Sequence, residues 1–400
     1  MHTTLHPDLP QPDQALRAKA LIESCVHCGF CSATCPSFQV LGNELDSPRG
    51  RITLIRELLQ GEPAQRSTQQ HLDRCLSCRA CETTCPSGVR YGELLTLGRA
   101  RVDAAVARPW RERLLRAALV RGLPTRGFAW VLRLAQGLRP LLPGGLRRRI
   151  PPHQPARWPR PGSQPRQVLL LRGCVQPALA PNIEAATHKV LAVLGVQALP
   201  VAGCCGALPA HLGDESRAAK YQAELVRACS NRLPLLSTAS ACGLMIKEYG
   251  QQAPAGSADA ELASRTLDLG EWLLSPAHLP RLRAALKPGA LPLLAWQPPC
   301  TLQHGQPGGA RPQHHVERGL LALGFRLHHA AEAHLCCGSA GSYSVLQPQV
   351  AQALRSRKLE QLQHPEVECI VSANVGCITH LAAASELPVR HWVEVLAEWV

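Results

Sequence analysis

The sequence predicts an α+β, multidomain chain: a mainly helical, cysteine-rich N-terminal domain followed by a duplicated α/β unit. Three observations carry that prediction. Eight of the eighteen cysteines form two copies of one tight run within the first hundred residues. A different cysteine pattern then occurs twice after residue 166, each time threaded between strand-like and helix-like stretches. The segment between them is dominated by Arg and Pro and reads as surface helices and linker. The expected divisions are 1–100, 101–166, 167–290 and 291–400.

The first run is Cys25-x-x-Cys28-x-x-Cys31-x-x-x-Cys35-Pro36, and the second is Cys75-x-x-Cys78-x-x-Cys81-x-x-x-Cys85-Pro86. Thiolates at steps of three wrap a short loop around three corners of a cube. The fourth Cys, on the next turn, ligates the other cluster in ferredoxin-type proteins with two [4Fe–4S] cubanes. On that rule Cys25, Cys28, Cys31 and Cys85 hold one cluster, and Cys75, Cys78, Cys81 and Cys35 hold the second. Pro36 and Pro86 lack an N–H and fix φ, which suits a chain leaving a cluster loop. Zinc is the weaker reading, because its structural sites pair two knuckles and do not need four Cys in eleven residues twice over. Disulfides are disfavoured, since the residues after Met1 contain no apolar run of the secretory kind.

Four hundred residues suffice for two to four domains. No stretch of eighteen apolar residues occurs, so no transmembrane span is expected. With the thiolate usage, this predicts a cytoplasmic location. The net charge of +14 is unevenly placed, because residues 101–170 hold fifteen Arg against only Asp103 and Glu112. Phe128, Val131, Leu132, Ala135, Leu138 and Leu142 follow helical spacing there, flanked by Arg126 and Arg133. Two short amphipathic helices and a Pro/Arg-rich linker from Arg147 to Arg166 are expected. A solvated linker packed on its neighbours competes with a peripheral contact to the cytoplasmic face of the inner membrane or to a partner protein. Nucleic acid is not expected as a partner, because no binding fold or aromatic platform accompanies the charge.

The duplication after residue 166 is specific. Its first copy runs from a strand at Val168–Leu171 to Cys174. A helix (Ile183–Leu194), Gly195, Cys204-Cys205-Gly206 and a strand (Leu235–Thr238) before Cys242 follow. The second runs from Leu291–Trp296 to Cys300, then a helix (Val316–Leu323), Gly324, Cys336-Cys337-Gly338 and a strand (Glu368–Ala373) before Cys377. The offset grows from 126 at the first Cys through 129 and 132 to 135 at the last, as three short insertions would produce. Alternating strand and helix argues for α/β units, here two equivalent ones about a pseudo-twofold axis, with cysteines at strand ends and loops. Cys174, Cys204, Cys205, Cys242, Cys300, Cys336, Cys337 and Cys377 are candidate further redox or cluster centres, with a structural role as the competing reading. The Gly after each Cys pair permits positive φ and close backbone approach, and Cys300-Thr-Leu-Gln-His304 adds an imidazole. Cys229 and Cys369 have no counterparts and read as buried thiols.

These residues carry a resemblance. The Cys…Cys-Cys-Gly…Cys unit resembles the CCG domain of heterodisulfide reductases. A two-[4Fe–4S] ferredoxin domain joined to two CCG units is similar to the iron–sulfur subunits of bacterial glycolate oxidases (glycolate dehydrogenases). The likeness covers the whole chain through Cys25-Val-His-Cys-Gly-Phe-Cys31, Leu45-Asp-Ser-Pro-Arg-Gly-Arg-Ile52, His71-Leu-Asp-Arg-Cys75 and Cys81-Glu-Thr-Thr-Cys-Pro-Ser-Gly-Val-Arg90. Cys300-Thr-Leu-Gln-His304, His334-Leu-Cys-Cys-Gly-Ser-Ala-Gly341 and Arg390-His-Trp392 extend it.

The resemblance implies an electron-transfer subunit with no catalytic residue of its own. A partner subunit would oxidise glycolate to glyoxylate on FAD, a second flavoprotein-like subunit would accompany it, and electrons would pass to a quinone or other acceptor. No GxGxxG or phosphate-binding loop contradicts that division of labour. Iron–sulfur subunits of lactate or glycerol-3-phosphate dehydrogenases, and a thiol/disulfide enzyme of the heterodisulfide-reductase kind, are the alternatives. Arg49, Arg51, Arg74 and Arg79 are placed to raise cluster potential or, equally, to pair with surface acids. Ala239-x-x-Cys242 and Asn374-x-x-Cys377 stand where CCG domains can carry Cys-x-x-Cys. Gln297-Pro298-Pro299 stands where glycolate oxidase subunits commonly read His-Cys-Pro. A further cluster in the CCG domains is therefore left open.

Overall fold

Proline opens three of the N-terminal helices, at Pro12–Glu23, Pro36–Leu41 and Pro48–Leu59, where its missing N–H costs no hydrogen bond. Ser47 caps the third by accepting from the Gly50 N–H at 3.0 Å. Gly50 is obligatory at that corner, because a Cβ there would lie 2.0 Å from the Glu44 carbonyl oxygen. The computed structural model describes residues 2–143, 147, 150–159, 164–251, 253–306 and 313–400. Arg148, Arg149 and residues 160–163 of the expected linker lie outside the described residues, as does the side chain of Arg126.

Two compact units organise the chain. One comprises residues 1–116 with 334–354, the other 117–333 with 355–400. The first is helical. Ala15, Ala18, Leu21 and Ile22 of Pro12–Glu23 meet Ile52, Ile55, Leu58 and Leu59 of Pro48–Leu59 and Leu94, Leu95 and Val102 of Tyr91–Ala105. These positions recur at helical spacing and bury one stripe of each helix. Cys25 and Cys81 belong to the same core, so the cysteine loops are extensions of it.

The second unit contains two four-stranded sheets. Strands β1 (Arg166–Leu171), β2 (Val196–Val201), β3 (Leu235–Ser237) and β4 (Thr266–Asp268) lie in the order β2-β1-β3-β4. Strands β5 (Leu293–Trp296), β6 (Arg326–His329), β7 (Cys369–Ser372) and β8 (Val389–His391) repeat it as β6-β5-β7-β8. All pairs are parallel, with Leu169 opposite Leu235 and Leu294 opposite Cys369. Parallel strands need crossovers and are covered on both faces, which is why Val168–Leu171 and Cys369–Ser372 are buried along their length.

The copies pack reciprocally, as twofold-related bodies must. The helix Ser240–Glu248 meets Cys300–Gln303, and its counterpart Val375–Ala382 meets Gln176–Leu179. Likewise Pro181–Val193 meets Trp392–Trp399, while Gln313–Leu323 meets Leu269–Leu273. Backbone and side-chain bonds seal the seam. The Ser240 N–H donates to the Ala373 carbonyl at 3.1 Å, and the Ser240 and Thr301 hydroxyls are 2.7 Å apart. The α+β prediction holds: a helical N-terminal region, then two α/β domains.

The arginine-rich segment forms the two expected helices, Trp110–Gly122 and Arg126–Leu138. In the second, Leu132 alone among the described side chains is buried. Trp130, Val131, Leu134, Leu138 and the following Leu141 are exposed, Trp130 at 72% and Leu141 at 81%. Phe128, Leu132 and Ala135 are turned towards protein, while a second apolar face, through Trp130, Val131, Leu134 and Leu138, is left exposed.

Candidate iron–sulfur centres

Both N-terminal cysteine runs adopt one backbone shape. Each places positive φ at the second residue after its first Cys, His27 (58°) and Ser77 (53°), and again just after its second Cys, Gly29 (82°) and Arg79 (62°). Three of these four are not glycine, and a left-handed residue costs about 1–2 kcal/mol. The strain is held by the surrounding core and turns backbone N–H groups inward, as a nest does around an anion. The Ser77 N–H accordingly donates to Cys75 Sγ at 3.4 Å, and the Val89 N–H to Cys85 Sγ at 3.5 Å.

The two loops and helices enclose two recesses. One is lined by Cys25, Cys28, Cys31 and Cys85, with Ile52, Val89 and Cys81 beside them. The other is lined by Cys35, Cys75, Cys78 and Cys81, with Leu76 and Arg51. Three cysteines of one run thus meet the last Cys of the other at each recess, and Tyr91 borders both. All these thiols are free of disulfides. Burial and the neighbouring Cys25 push the Cys31 thiol up to about 11, and burial with Cys78 and Cys75 raises the Cys81 thiol as well. Crowded thiols that resist ionising by themselves, around an apolar void, fit a compact cationic core. The donor set suits a [4Fe–4S] cubane at each recess.

Behind the second recess lies a buried polar network. Arg51 is fully buried and donates through both terminal nitrogens to Ser37 Oγ at 3.1 Å, and through Nε to the His71 carbonyl at 2.7 Å. Ser37 Oγ is 3.3 Å from Cys35 Sγ. Asp46, also buried, pairs with Arg51 at 3.5 Å, accepts from His71 Nδ1 at 2.9 Å and from Arg74 at 3.1 Å. The Tyr343 hydroxyl donates to the Arg74 carbonyl at 2.9 Å, one residue before Cys75. Sequence reasoning grouped Arg49, Arg51, Arg74 and Arg79 and missed Ser37, Asp46 and Tyr343. Only the Leu45-Asp-Ser-Pro-Arg-Gly-Arg run hinted at Asp46.

In the first α/β copy all four candidate cysteines come together. Cys174 follows β1, Cys204 and Cys205 follow β2, and Cys242 lies in the helix after β3. The sheet order reverses between β1 and β3, and the carboxyl ends of strands at such a switch point are where open α/β sheets bind ligands. The Cys174 and Cys205 thiols donate to Cys204, and Cys242 neighbours Cys205. These bonds, with the Gly206 N–H at 3.4 Å, hold the Cys204 sulfur down to about 3, while its two donors are pushed up. Gly206 adopts φ +77° and Gly338 φ +89°; at each, a side chain would press on a helix carbonyl, Ala218 or Ala351.

In the second copy Cys300 opens the helix after β5, and Cys377 lies after β7 with the Asn374 amide 3.6 Å from its sulfur. Cys336-Cys337-Gly338 belongs to the first compact unit, where both cysteines are buried. Cys229 and Cys369 are buried as expected.

Two families of known proteins match the chain. A family described as a 4Fe-4S dicluster domain matches residues 21–89, and a family described as a cysteine-rich domain matches 168–247 and 294–382. Fold and site together define an iron–sulfur protein in which a dicluster domain is joined to paired cysteine-rich domains. The glycolate oxidase iron-sulfur subunit of Escherichia coli (strain K12) is 42% identical over all of this chain and 99% of its own length. A probable glycolate oxidase iron-sulfur subunit of Bacillus subtilis (strain 168) is 26% identical over 91% of this chain and 89% of its own. The lactate utilization protein A of Geobacillus thermodenitrificans is 24% identical over only 58% of this chain. The chain belongs to the family of glycolate oxidase iron–sulfur subunits.

Proposed function

We propose that this chain is the electron-relaying subunit of a glycolate-oxidising complex, standing between a partner subunit's FAD and a quinone or other acceptor. The observation that carries this reading is the pair of recesses, each lined by three cysteines of one run and the last of the other. When bound there, two [4Fe–4S] clusters supply one-electron chemistry. The chain's own residues hold the four thiolates at each site, exclude water with Ile52, Val89, Leu76 and Tyr91, and keep Cys28 near the surface beside exposed Val26 and Phe30. That exposed rim faces the partner flavoprotein in this reading. The full-length match favours glycolate over lactate as the complex's substrate.

Anaerobic purification with iron and sulfide quantitation, and EPR of the reduced protein, tests the assignment. About eight iron per chain is expected for two cubanes. Zinc without iron, or about four iron, would overturn it. A clear excess over eight would add a centre at the Cys174–Cys204–Cys205–Cys242 group.

The outward apolar stripe of Arg126–Leu138 gives the complex a peripheral membrane contact on the cytoplasmic face. No helix among the described residues is long and apolar enough to cross a membrane. A helix with exposed Trp and Leu in an arginine-rich segment suits the headgroup boundary of anionic lipid. The chain should co-sediment with vesicles containing phosphatidylglycerol and far less with purely zwitterionic ones. Leu134→Glu combined with Trp130→Glu should reduce binding at least roughly tenfold. Undiminished binding by that variant would remove the helix from the contact.

A further inference from the structure

The two recesses are alike in sulfur count and unlike in charge. Beside the first stands Arg49, about one-third exposed and paired with Glu44, so its charge is both matched and screened by water. Beside the second stands Arg51, fully buried, lining the recess with Cys35, Cys75, Cys78 and Cys81. Asp46 is shared between Arg51 and Arg74. Arg51 lines the recess and Asp46 does not, so the buried cation stands nearer these sulfurs than its buried counter-charge, which Arg74, about one-third exposed, also draws on. Shut off from solvent, Arg51 is felt there more strongly than a surface charge. Ser37 links Arg51 directly to Cys35, its hydroxyl 3.3 Å from the sulfur and 3.1 Å from each terminal guanidinium nitrogen.

We propose that Arg51, supported by Asp46, Arg74 and Ser37, makes the second cysteine site the stronger electron acceptor of the two, giving the relay a built-in direction. The inference rests on the reading that both recesses hold cubanes. A site that gains one electron gains one negative charge, which a buried cation stabilises and a screened, neutralised one does not. Solvent access acts the opposite way, since exposed Cys28 belongs to the first site. That difference is confined to one sulfur. Cys25 and Cys35, and Cys31, Cys85, Cys75 and Cys78, are otherwise similarly covered. A buried cation lining the site outweighs it. No bond is made or broken, and each site takes up a single electron.

The test is an EPR-monitored redox titration of the anaerobically purified full-length chain, with dithionite as reductant and iron content measured on every sample. Wild type should show two separable midpoint potentials. Arg51→Gln should move the higher one down and leave the lower in place, Arg51→Lys should restore most of it, and Arg49→Gln should move neither appreciably. Equal shifts of both potentials, or no shift in a fully iron-loaded Arg51→Gln protein, would overturn the proposal. Should Arg51→Gln lose iron, the more exposed Arg74→Gln must lower the same potential by a smaller step, and an unmoved potential there overturns it too. Fewer than two signals in wild type would instead sink the two-cluster reading itself.

Discussion

Replacing Cys78 with Ala should abolish glycolate-dependent dye reduction by the assembled complex, to below about one-hundredth of wild type. The reasoning starts from donor count. Cys78 lines the second recess with Cys35, Cys75 and Cys81, and no spare thiol stands in for it there. Losing even an outer-shell partner of a metal ligand costs about 10–100-fold, so losing a ligand costs at least as much. Iron should fall from about eight to about four per chain as the second cubane is lost while the first, held by Cys25, Cys28, Cys31 and Cys85, survives. Cys229→Ala is the control. Its thiol is 1% exposed and lies in the first α/β core, so removing it costs about 1–2 kcal/mol of packing and should leave iron and activity intact. Full activity in Cys78→Ala would mean that electrons bypass this site.

The cluster loops were legible because their spacing is local. Four cysteines in eleven residues constrain one another whatever the rest of the chain does, and the proposed interlocked grouping rests on the two-cluster ferredoxin rule. The α/β duplication was legible because offsets between Cys174 and Cys300, and between Cys204 and Cys336, are too regular for chance. What spacing could not supply was anything set by tertiary contact. Ser37, Asp46, Arg51, His71 and Tyr343 are scattered over three hundred residues, and only folding gathers them into one network reaching Cys35 and the residue before Cys75. Arg49 and Arg51, two residues apart, serve different recesses because successive helix positions face apart. Periodicity likewise drew one stripe through Phe128, Val131, Leu132, Ala135 and Leu138 without revealing that Val131 and Leu138 are exposed while Leu132 is buried. Strands β2, β4, β6 and β8 were missed because Val196–Val201 carries a proline, Arg326-Leu-His-His329 is half-exposed and polar, and Thr266–Asp268 and Val389–His391 are only three residues long.

The twofold relation between the α/β copies has a consequence for pH dependence. Asp268 and His391 occupy equivalent places, each ending its last strand and capping the helix that follows. Asp268 accepts from the Gly270 N–H at 2.9 Å, and its own N–H donates to Glu271 at 2.7 Å. His391 Nδ1 accepts from the Val393 N–H at 3.2 Å, its N–H donates to Glu394 at 2.9 Å, and its Nε2–H donates to the Thr238 carbonyl at 3.0 Å. Both are buried, and burial opposes charge in each, so they shift in opposite directions. Asp268 is pushed up from 3.8 to about 7, and its second carboxyl oxygen, which finds no partner, suits a neutral acid. His391 is pushed down from 6.5 to about 3.

The signs follow by linkage. Between pH 3.8 and 7 the folded chain keeps the Asp268 proton that the unfolded chain releases, so this group's stabilisation is full below 3.8 and is lost as pH rises. Between pH 3 and 6.5 the unfolded chain binds a proton at His391 that the folded chain refuses, so stability here is gained as pH rises. The two slopes, each about 1.4 kcal/mol per pH unit, oppose one another between pH 5 and 6.5. Denaturant midpoints of the iron-loaded protein across that interval should show His391→Gln tilting towards lower stability with rising pH, by about 1.4 kcal/mol per unit relative to wild type. Asp268→Asn should tilt the other way by the same amount. Contributions from every other titrating group are common to the three proteins and drop out of the differences. Parallel profiles would mean that the paired caps do not titrate as their burial requires.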